Sequence, residues 1–470
     1  VPGGTFELGR INMGSNTTIR GTGRGSVLHE ISDANEIIST KAGANDLVIR
    51  DLHFLGRGIT PLGVGYAIID RNSAHSRILV EGCTFTNFSA GGIHIGLAAA
   101  APGGLCSDYI IRNCHFFENG LTTGNVTGVA ITNADRVLIE GCTVTKTGAA
   151  QSYVSSNAAI DVEPNVAGDL CTNIVIKGCF FRNVGSSSIN VTNTVGATVR
   201  WVTISDCTMA DNYLDGLHVA TASDTTITGC LIHNNGRSGL FIGGDRTVIT
   251  GCEIVDNNAS LGNQGQVYIE SCVDTVVVGN RIGMTTATGT APAVVEAGTA
   301  NRSYIANNNC TSAIAVTMTI IGTGSVTIGN TGYTSTTGRQ MVKRVKVNAA
   351  LTVVTAGAAG YVDFGAGFNT TLTTLAGDEI CIRIQSVGRK LTSGFGAVVV
   401  DVDAGTKLPG PADSSVVFDI SAEVKPFAYE YWYAPGAGAH ALKPQIYSND
   451  VGIAGAGFAH FCQVLYEVWR

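Results

Sequence analysis

Short runs in which apolar and polar residues alternate recur through residues 1–330. Side chains point to opposite faces along a strand, so each run predicts a half-buried β-strand. The runs share the form V-x-I-x-G-C-x-I. Copies lie at 78–83, 110–114, 137–142, 174–179, 202–207, 225–230 and 247–252, each ending on a cysteine. Asn280, Asn308 and Asn330 take the cysteine place further on, and 16–23 and 47–52 are weaker copies upstream. A second apolar run follows, with Ile93, Ile189, Leu217 and Leu240 each 10 residues after their cysteine. An asparagine lies between in each case: Asn87, Asn183, Asn212 and Asn235. The unit reads as strand, asparagine turn, strand and return. Its period of roughly 22–37 residues, with no helical pattern, predicts a parallel β-solenoid. A single coil cannot bury its own apolar side, so coils must stack, about 4.8 Å apart.

Stacking changes the meaning of the cysteines. Thirteen in 470 residues would suggest disulfides in a small secreted chain. Here the repeat places most of them in one inward column, where a small apolar thiol lies on its own image in the next coil. Free thiols are therefore expected. Cys106, Cys171 and Cys272 each precede the column position by eight residues and form a second small stack. No CxxC or histidine companions point to zinc.

Composition agrees with an all-β chain: 60 glycines, only 14% charged residues, and abundant Val, Ile and Thr. The net charge of −7 and pI of 5.7 argue against nucleic acid as the main partner. They argue equally against an anionic membrane. No apolar run approaches the ~20 residues that span a bilayer. The chain opens at Val1 inside what reads as an element, which suggests that an N-terminal part precedes it.

The pattern G-C-x-I/N-x-x-x-x-G-I-x-I resembles the right-handed parallel β-helix of the pectate-lyase-like superfamily. The opening Pro2-Gly3-Gly4-Thr5-Phe6, followed by Asn16-Thr17-Thr18-Ile19-Arg20-Gly21-Thr22-Gly23, is similar to the first coil of phage tailspike depolymerases. The resemblance covers residues 1–330. It implies a polysaccharide depolymerase on a phage virion tail, or another extracellular protein, assembled as a homotrimer. The same fold hosts hydrolases, lyases, epimerases and plain adhesins, so it leaves the reaction open.

Near 331–338 the repeat stops and a domain boundary is expected. The remainder, 331–470, alternates over short runs at 342–347, 380–384, 398–402, 416–420 and 464–468. That pattern predicts a β-sandwich, jelly-roll-like. The resemblance gives it a trimerisation or carbohydrate-binding role. In 427–433, Phe427, Tyr429, Tyr431 and Tyr433 share one face and Trp432 stands alone on the other.

Candidate chemistry gathers on the outward side of the second strand. Setting each strand on its inward apolar pair leaves His94, Ala130, Asp161, Asn190, His218, Phe241 and Tyr268 in one outward row. The next outward row holds Gly96, Thr132, Glu163, Thr192, Ala220, Gly243 and Glu270. Asp161 and Glu163 thus stand side by side on an exposed face, about 6.5–7 Å apart at their Cα atoms. Paired carboxyls fit glycoside hydrolysis, which needs one protonated acid and one ionised base or nucleophile. Strand spacing favours the inverting class, with Glu163 as acid and Asp161 as base. His218 is a candidate base or proton shuttle, with Asp215 three residues before it. Arg237 could clamp a substrate carboxylate. Asn190, Tyr268 and His94 are candidate substrate contacts. Longer connections at 115–128, 143–158 and 253–266 should border this face, with Gln151 and Tyr153 as contributors. A hydrolase of this kind requires no cofactor, though calcium would suit the oxygen donors. Two other readings remain: a lyase or uronate epimerase using His218 or Tyr153 as base, and a non-catalytic glycan-binding spike.

Overall fold

The structure, a computed structural model, describes residues 1–337 except 32–35, 59–64, 72–73, 98–103, 121–127, 146–157, 258–263, 286–291, 313–315 and 323. Beyond them it describes the backbone of the strands between Gln340 and Trp469. No helix occurs among the described residues. The chain forms two compact units, Val1–Gly338 and Arg339–Arg470.

Unit one is a stack of coils with three strands per coil. The first sheet runs from Gly4–Leu8 to Arg281–Gly283 and has 11 strands among the described residues. The second runs from Ile11–Met13 to Tyr333–Thr337 with 13. The third begins at Thr18–Arg20 and reaches Val326–Ile328. Neighbouring strands in each are parallel.

Alternation alone reads two strands per coil; the structure has three. The run V-x-I-x-G-C-x-I is bent just before the cysteine. Asp51, Gly82, Asn113, Gly141, Gly178, Asp206, Gly229 and Gly251 all lie there at positive φ, between 53° and 64°. That region is open to glycine and tolerated by asparagine and aspartate, which accounts for the residue types at this place. The kink ends the third-sheet strand, and the cysteine turns inward before a short first-sheet strand begins.

The core follows from this geometry. Phe54, Phe85 and Phe116 stack at 5.0 and 4.7 Å between centroids, one per coil along the first sheet. All eleven described cysteines are buried and free, as the column arrangement predicts. Cys207 Sγ lies 3.2 Å from the Ser205 carbonyl and 3.7 Å from that of Ile176. In the second stack Cys106 and Cys171 share a register column, with Ala134 between them.

The turn asparagines form two rows rather than one. Asn87 and Asn183 occupy the positive-φ corner after the first sheet, in line with Asp211 and Asn234. Asn212 and Asn235 sit one residue later and point inward. There Asn212 Oδ1 accepts from the Val184 N–H, Asn235 Oδ1 from that of Asn212 and Asn257 Oδ1 from that of Asn235, each at 3.1 Å. This ladder supplies partners for corner amides that no sheet reaches. Asn280 and Asn308 do the same in the cysteine place, with Asn280 Oδ1 accepting from the Cys252 N–H at 2.9 Å.

In unit two, Gln340–Leu351, Ala459–Trp469, Glu379–Arg389 and Lys425–Tyr433 pair antiparallel in that order. A second antiparallel set centres on Gly438–Ser448, which pairs with Gly360–Asp363, Thr370–Thr374 and Phe395–Val402.

Candidate functional site

The second sheet places His94, Ala130, Asp161, Asn190, His218, Phe241 and Tyr268 in one register column, strand by strand. Inward neighbours fix it: Ile160 and Val162 are fully buried, as are Ile189, Val191, Leu217 and Val219. A slip of one residue would put these into solvent, so the outward row has no freedom to move. Glu163 lies just past the strand Ile160–Val162, its N–H donating to the Ile131 carbonyl at 3.0 Å.

Two clusters form along this column. In the first, Asp161 is only 7% exposed, so the expected exposed acid face is half wrong. Its column neighbours are Ala130 and Asn190, themselves 5% and 8% exposed, and Glu163 beside it is half-buried. Asn190 Nδ2 donates to Asp161 Oδ1 at 2.9 Å. Burial pushes the Asp161 carboxyl up to about 8, and the charge and hydrogen bond of the neighbouring Glu163 push the same way. Asp161 is therefore protonated at neutral pH, the opposite of the base role that spacing suggested. The hydrogen bond sets the two carboxyls against one another.

The second cluster is organised by Asp215, which is fully buried. Its Oδ2 lies 3.0 Å from His218 Nδ1 and accepts from an Arg237 Nη at 2.7 Å. Its Oδ1 accepts from Arg237 Nε at 3.1 Å and from the Ser238 N–H at 2.9 Å. Arg237 thus spends two donors on Asp215 and is not the free clamp expected of it. The signal was available: Arg237 follows Asp215 by 22 residues, which is one coil. His218 stacks on Phe241 at 4.3 Å with 3° between planes, and Phe241 on Tyr268 at 5.6 Å. The three rings make a ledge along the column. Partial burial raises the Tyr268 phenol.

His94 lies two coils from Asp161, buried, tilted against Tyr66 at 4.9 Å, with Nε2 3.5 Å from Thr132 Oγ1. Gln151 and Tyr153 lie outside the described residues. Among the described residues no three His, Cys, Asp or Glu side chains converge as a metal site would require.

The family model described as "Right handed beta helix region" matches residues 37–200 and 171–341. The chain belongs to the right-handed β-helix family. No curated protein matches it. Among solved structures, the Azotobacter vinelandii mannuronan C-5 epimerase AlgE4 A-module is similar at TM-score 0.52 and 16% identity, over 72% of this chain and 86% of that one. The tailspike protein gp49 from Pseudomonas phage LKA1 gives 0.47 and 11%, over 99% and 89%. Bacteriophage CBA120 tailspike protein 3 gives 0.47 and 12%, over 70% and 55%. At these identities the first likeness is one of fold, and the β-helix above is that fold.

Proposed function

We propose that this β-helix protein binds a polysaccharide along its second sheet and hydrolyses glycosidic bonds at Asp161 and Glu163. One observation carries the reading: a buried carboxyl, pushed up to about 8, beside a second carboxyl on a surface-facing row. A protonated acid at neutral pH is what a departing sugar oxygen needs. In this reading Asp161 gives its proton to the leaving oxygen as the C–O bond breaks. Glu163 takes a proton from the water that attacks the anomeric carbon. The hydrogen bond between the two carboxyls then returns the proton to Asp161 for the next turn. Substrate and water must first part the carboxyls, and half-buried Glu163, beyond the strand end, is the one with room to move. Asn190 holds Asp161 in place. The ring ledge of His218, Phe241 and Tyr268 offers sugar faces a stacking surface, with Asp215 and Arg237 holding the imidazole.

A lyase or C-5 epimerase acting on a uronate is the second reading. The Asp215–His218–Arg237 cluster favours it, because a held imidazole beside a guanidinium suits proton removal next to a carboxylate. Product mass spectrometry on a panel of bacterial capsular and exopolysaccharides separates the two. Hydrolysis adds the mass of water to the fragments. A lyase gives unsaturated, ultraviolet-absorbing ends, and an epimerase leaves chain length unchanged. Tight glycan binding with no product from any polymer would make the protein a non-catalytic spike and sink both enzymatic readings.

The two antiparallel sheets of unit two support a β-sandwich that serves trimerisation or carbohydrate binding. A virion tail or extracellular setting and a homotrimeric assembly complete the proposal.

A further inference from the structure

The third sheet turns a different face outward, and its composition is regular from coil to coil. Its strands show three outward positions at spacing two, while Leu47, Ile49, Ile78, Val80, Ile111, Val137 and Ile139 between them are buried. The middle position is apolar in most coils: Val48, Leu79, Ile110, Leu138 and Val175 stand in one register column. The column continues through Thr203 and Thr226 to Val248, Val276, Tyr304 and Val326. Ile110 is 37% exposed and Tyr304 44%. The strip is about 48 Å long at ~4.8 Å per coil and about 13 Å wide with its flanks. Its plan area of roughly 600 Å² approaches the ~800 Å² that each partner gives to a standard interface.

Over the four coils from Asp46 to Glu140 both flanks are charged, and both alternate in sign. On one side stand Asp46, Arg77, Asp108 and Arg136, with pairs Arg77–Asp46 at 2.6 Å and Arg136–Asp108 at 2.7 Å. All four lie at positive φ, between 55° and 61°, where non-glycine residues carry strain. On the other side stand Arg50, Glu81, Arg112 and Glu140, with Arg112–Glu81 at 2.8 Å and Arg50–Glu81 at 3.5 Å. The two flanks are out of phase. Coil by coil, Asp46 shares its strand with Arg50, Arg77 with Glu81, Asp108 with Arg112, and Arg136 with Glu140.

From this phase we infer that the third-sheet face docks a second copy of the same chain, parallel and without stagger. Rotation about an axis parallel to the coil stack lays the apolar column of one copy on that of the next. It also sets the first flank of one copy against the second flank of its neighbour at equal height. Every coil from Asp46 to Glu140 then meets opposite charge. A shift of one coil brings Asp46 to Glu81, Arg77 to Arg112 and Asp108 to Glu140, all like pairs. The ladders therefore set register, while the apolar column supplies the attraction. The inference does not depend on the glycan chemistry of the second sheet.

The test uses the full-length chain. Native mass measurement should give a multimer, and Leu79→Cys, in the part of the column that lies between the charged flanks, should form an interchain disulfide on mild oxidation. The eleven described thiols are buried, and Cys381→Ser with Cys462→Ser, carried in every sample, removes the other two. Reversing the first flank alone (Asp46→Arg, Arg77→Asp, Asp108→Arg, Arg136→Asp) keeps the alternation within the chain, so the fold is preserved. It should nevertheless lower the Leu79→Cys cross-link yield roughly tenfold or more, through like charges across the contact. Reversing the second flank as well (Arg50→Glu, Glu81→Arg, Arg112→Glu, Glu140→Arg) should restore it. A monomeric wild type, a multimer that fails to cross-link at Leu79→Cys, or a yield indifferent to the single-flank reversal each overturns the proposal.

Discussion

On the second sheet the Asp161 carboxyl is pushed up to about 8; on the third sheet the Asp224 carboxyl is held down at about 2 by Arg246 and Arg200. The same repeat builds both faces, and the same kind of β-strand presents both side chains. Asp161 sits in an irregular column whose members change type from coil to coil, among Ala130, Asn190 and Glu163, with no cation among the described residues in its hydrogen-bond shell. Asp224 is half-buried, with Arg246 and Asp274 following it in alternating sign, and guanidinium donors arrive from the coils on either side. Regularity across coils satisfies each charge. Its interruption leaves a carboxyl that burial and a like neighbour keep protonated. The irregular column thus holds the carboxyl with a raised proton affinity, and the alternating stretch holds the ion pairs.

The sharpest way to break this contrast is Asp161→Asn. It preserves shape and the neighbourhood of Asn190 while removing the proton, so hydrolysis of the substrate glycan should fall about 10³-fold. Glycan affinity measured calorimetrically should stay close to wild type. In the wild type, rate should decline as pH rises through about 8, where Asp161 loses its proton. Stability has the same sign. Between the ordinary carboxylate value near ~3.9 and about 8, the folded state holds a proton that the unfolded chain has released. The protein therefore loses stability as pH rises across that window, and Asp161→Asn should flatten the slope. Wild-type and variant denaturation midpoints that run parallel from pH 5 to 9 would contradict the protonated assignment.

Asp215→Ala comes next. It strips a buried acceptor from Arg237, His218 and the Ser238 N–H together. Leaving the partly buried guanidinium, the imidazole and a buried N–H without their acceptor costs about 1–3 kcal/mol. Urea denaturation should register that loss, with activity falling through the released imidazole. An equal loss from the exposed Arg302, paired with Asp274 on the third sheet, would erase the distinction between the faces.

Much of this was legible in the sequence, and the failures have definite causes. Buried Ile160 and Val162 fix which way Asp161 faces, and the cysteine column fixes its height, so alternation alone yields the His94-to-Tyr268 row. The depth of Asp161 is not written in its own strand. It depends on Ala130 and Asn190, which lie one coil away on each side, and so the strand alone reads as an exposed acid where the structure has a buried one. The third strand of each coil is hidden because the bend before Cys207 or Cys142 leaves the apolar period unbroken. Only the left-handed Asp206 or Gly141 betrays it. The flanks of the third sheet are plain once register is known, as D-L-V-I-R, R-I-L-V-E, D-Y-I-I-R and R-V-L-I-E from residues 46, 77, 108 and 136. Without register they read only as half-polar strands.

The scaffold shared by both faces is tested at Asn235. Its Nδ2 donates to the Met209 carbonyl at 3.1 Å and to Asn257 Oδ1 at 2.7 Å, and its Oδ1 accepts from Asn212. Asn235→Ala takes an acceptor from the Asn212 N–H and side-chain amide and a donor from the Met209 carbonyl, at about 1–3 kcal/mol. The unfolding free energy from thermal melting should drop by that amount with the pH–rate profile unchanged, since no site residue is altered. A shift in the profile would mean that corner and column are coupled more tightly than separate rows allow.

Arg246→Gln should do least to stability and most to a single titration. Arg246 is exposed, and exposed pairs add little to folding because water already solvates both ions. Its donors nonetheless hold the Asp224 carboxyl at about 2, with Arg200 helping from the other side. A carboxyl depressed on folding supports the native state above its unfolded value and loses that support as pH falls towards about 2. Removing Arg246 should move the Asp224 titration, followed by carboxyl-carbon NMR, upward towards the ordinary range while Arg200 keeps part of the depression. The melting temperature at pH 7 should hold. An unmoved titration would show that the column's alternation is not what governs its charge. In that case the regular face would have to be explained by its apolar row alone.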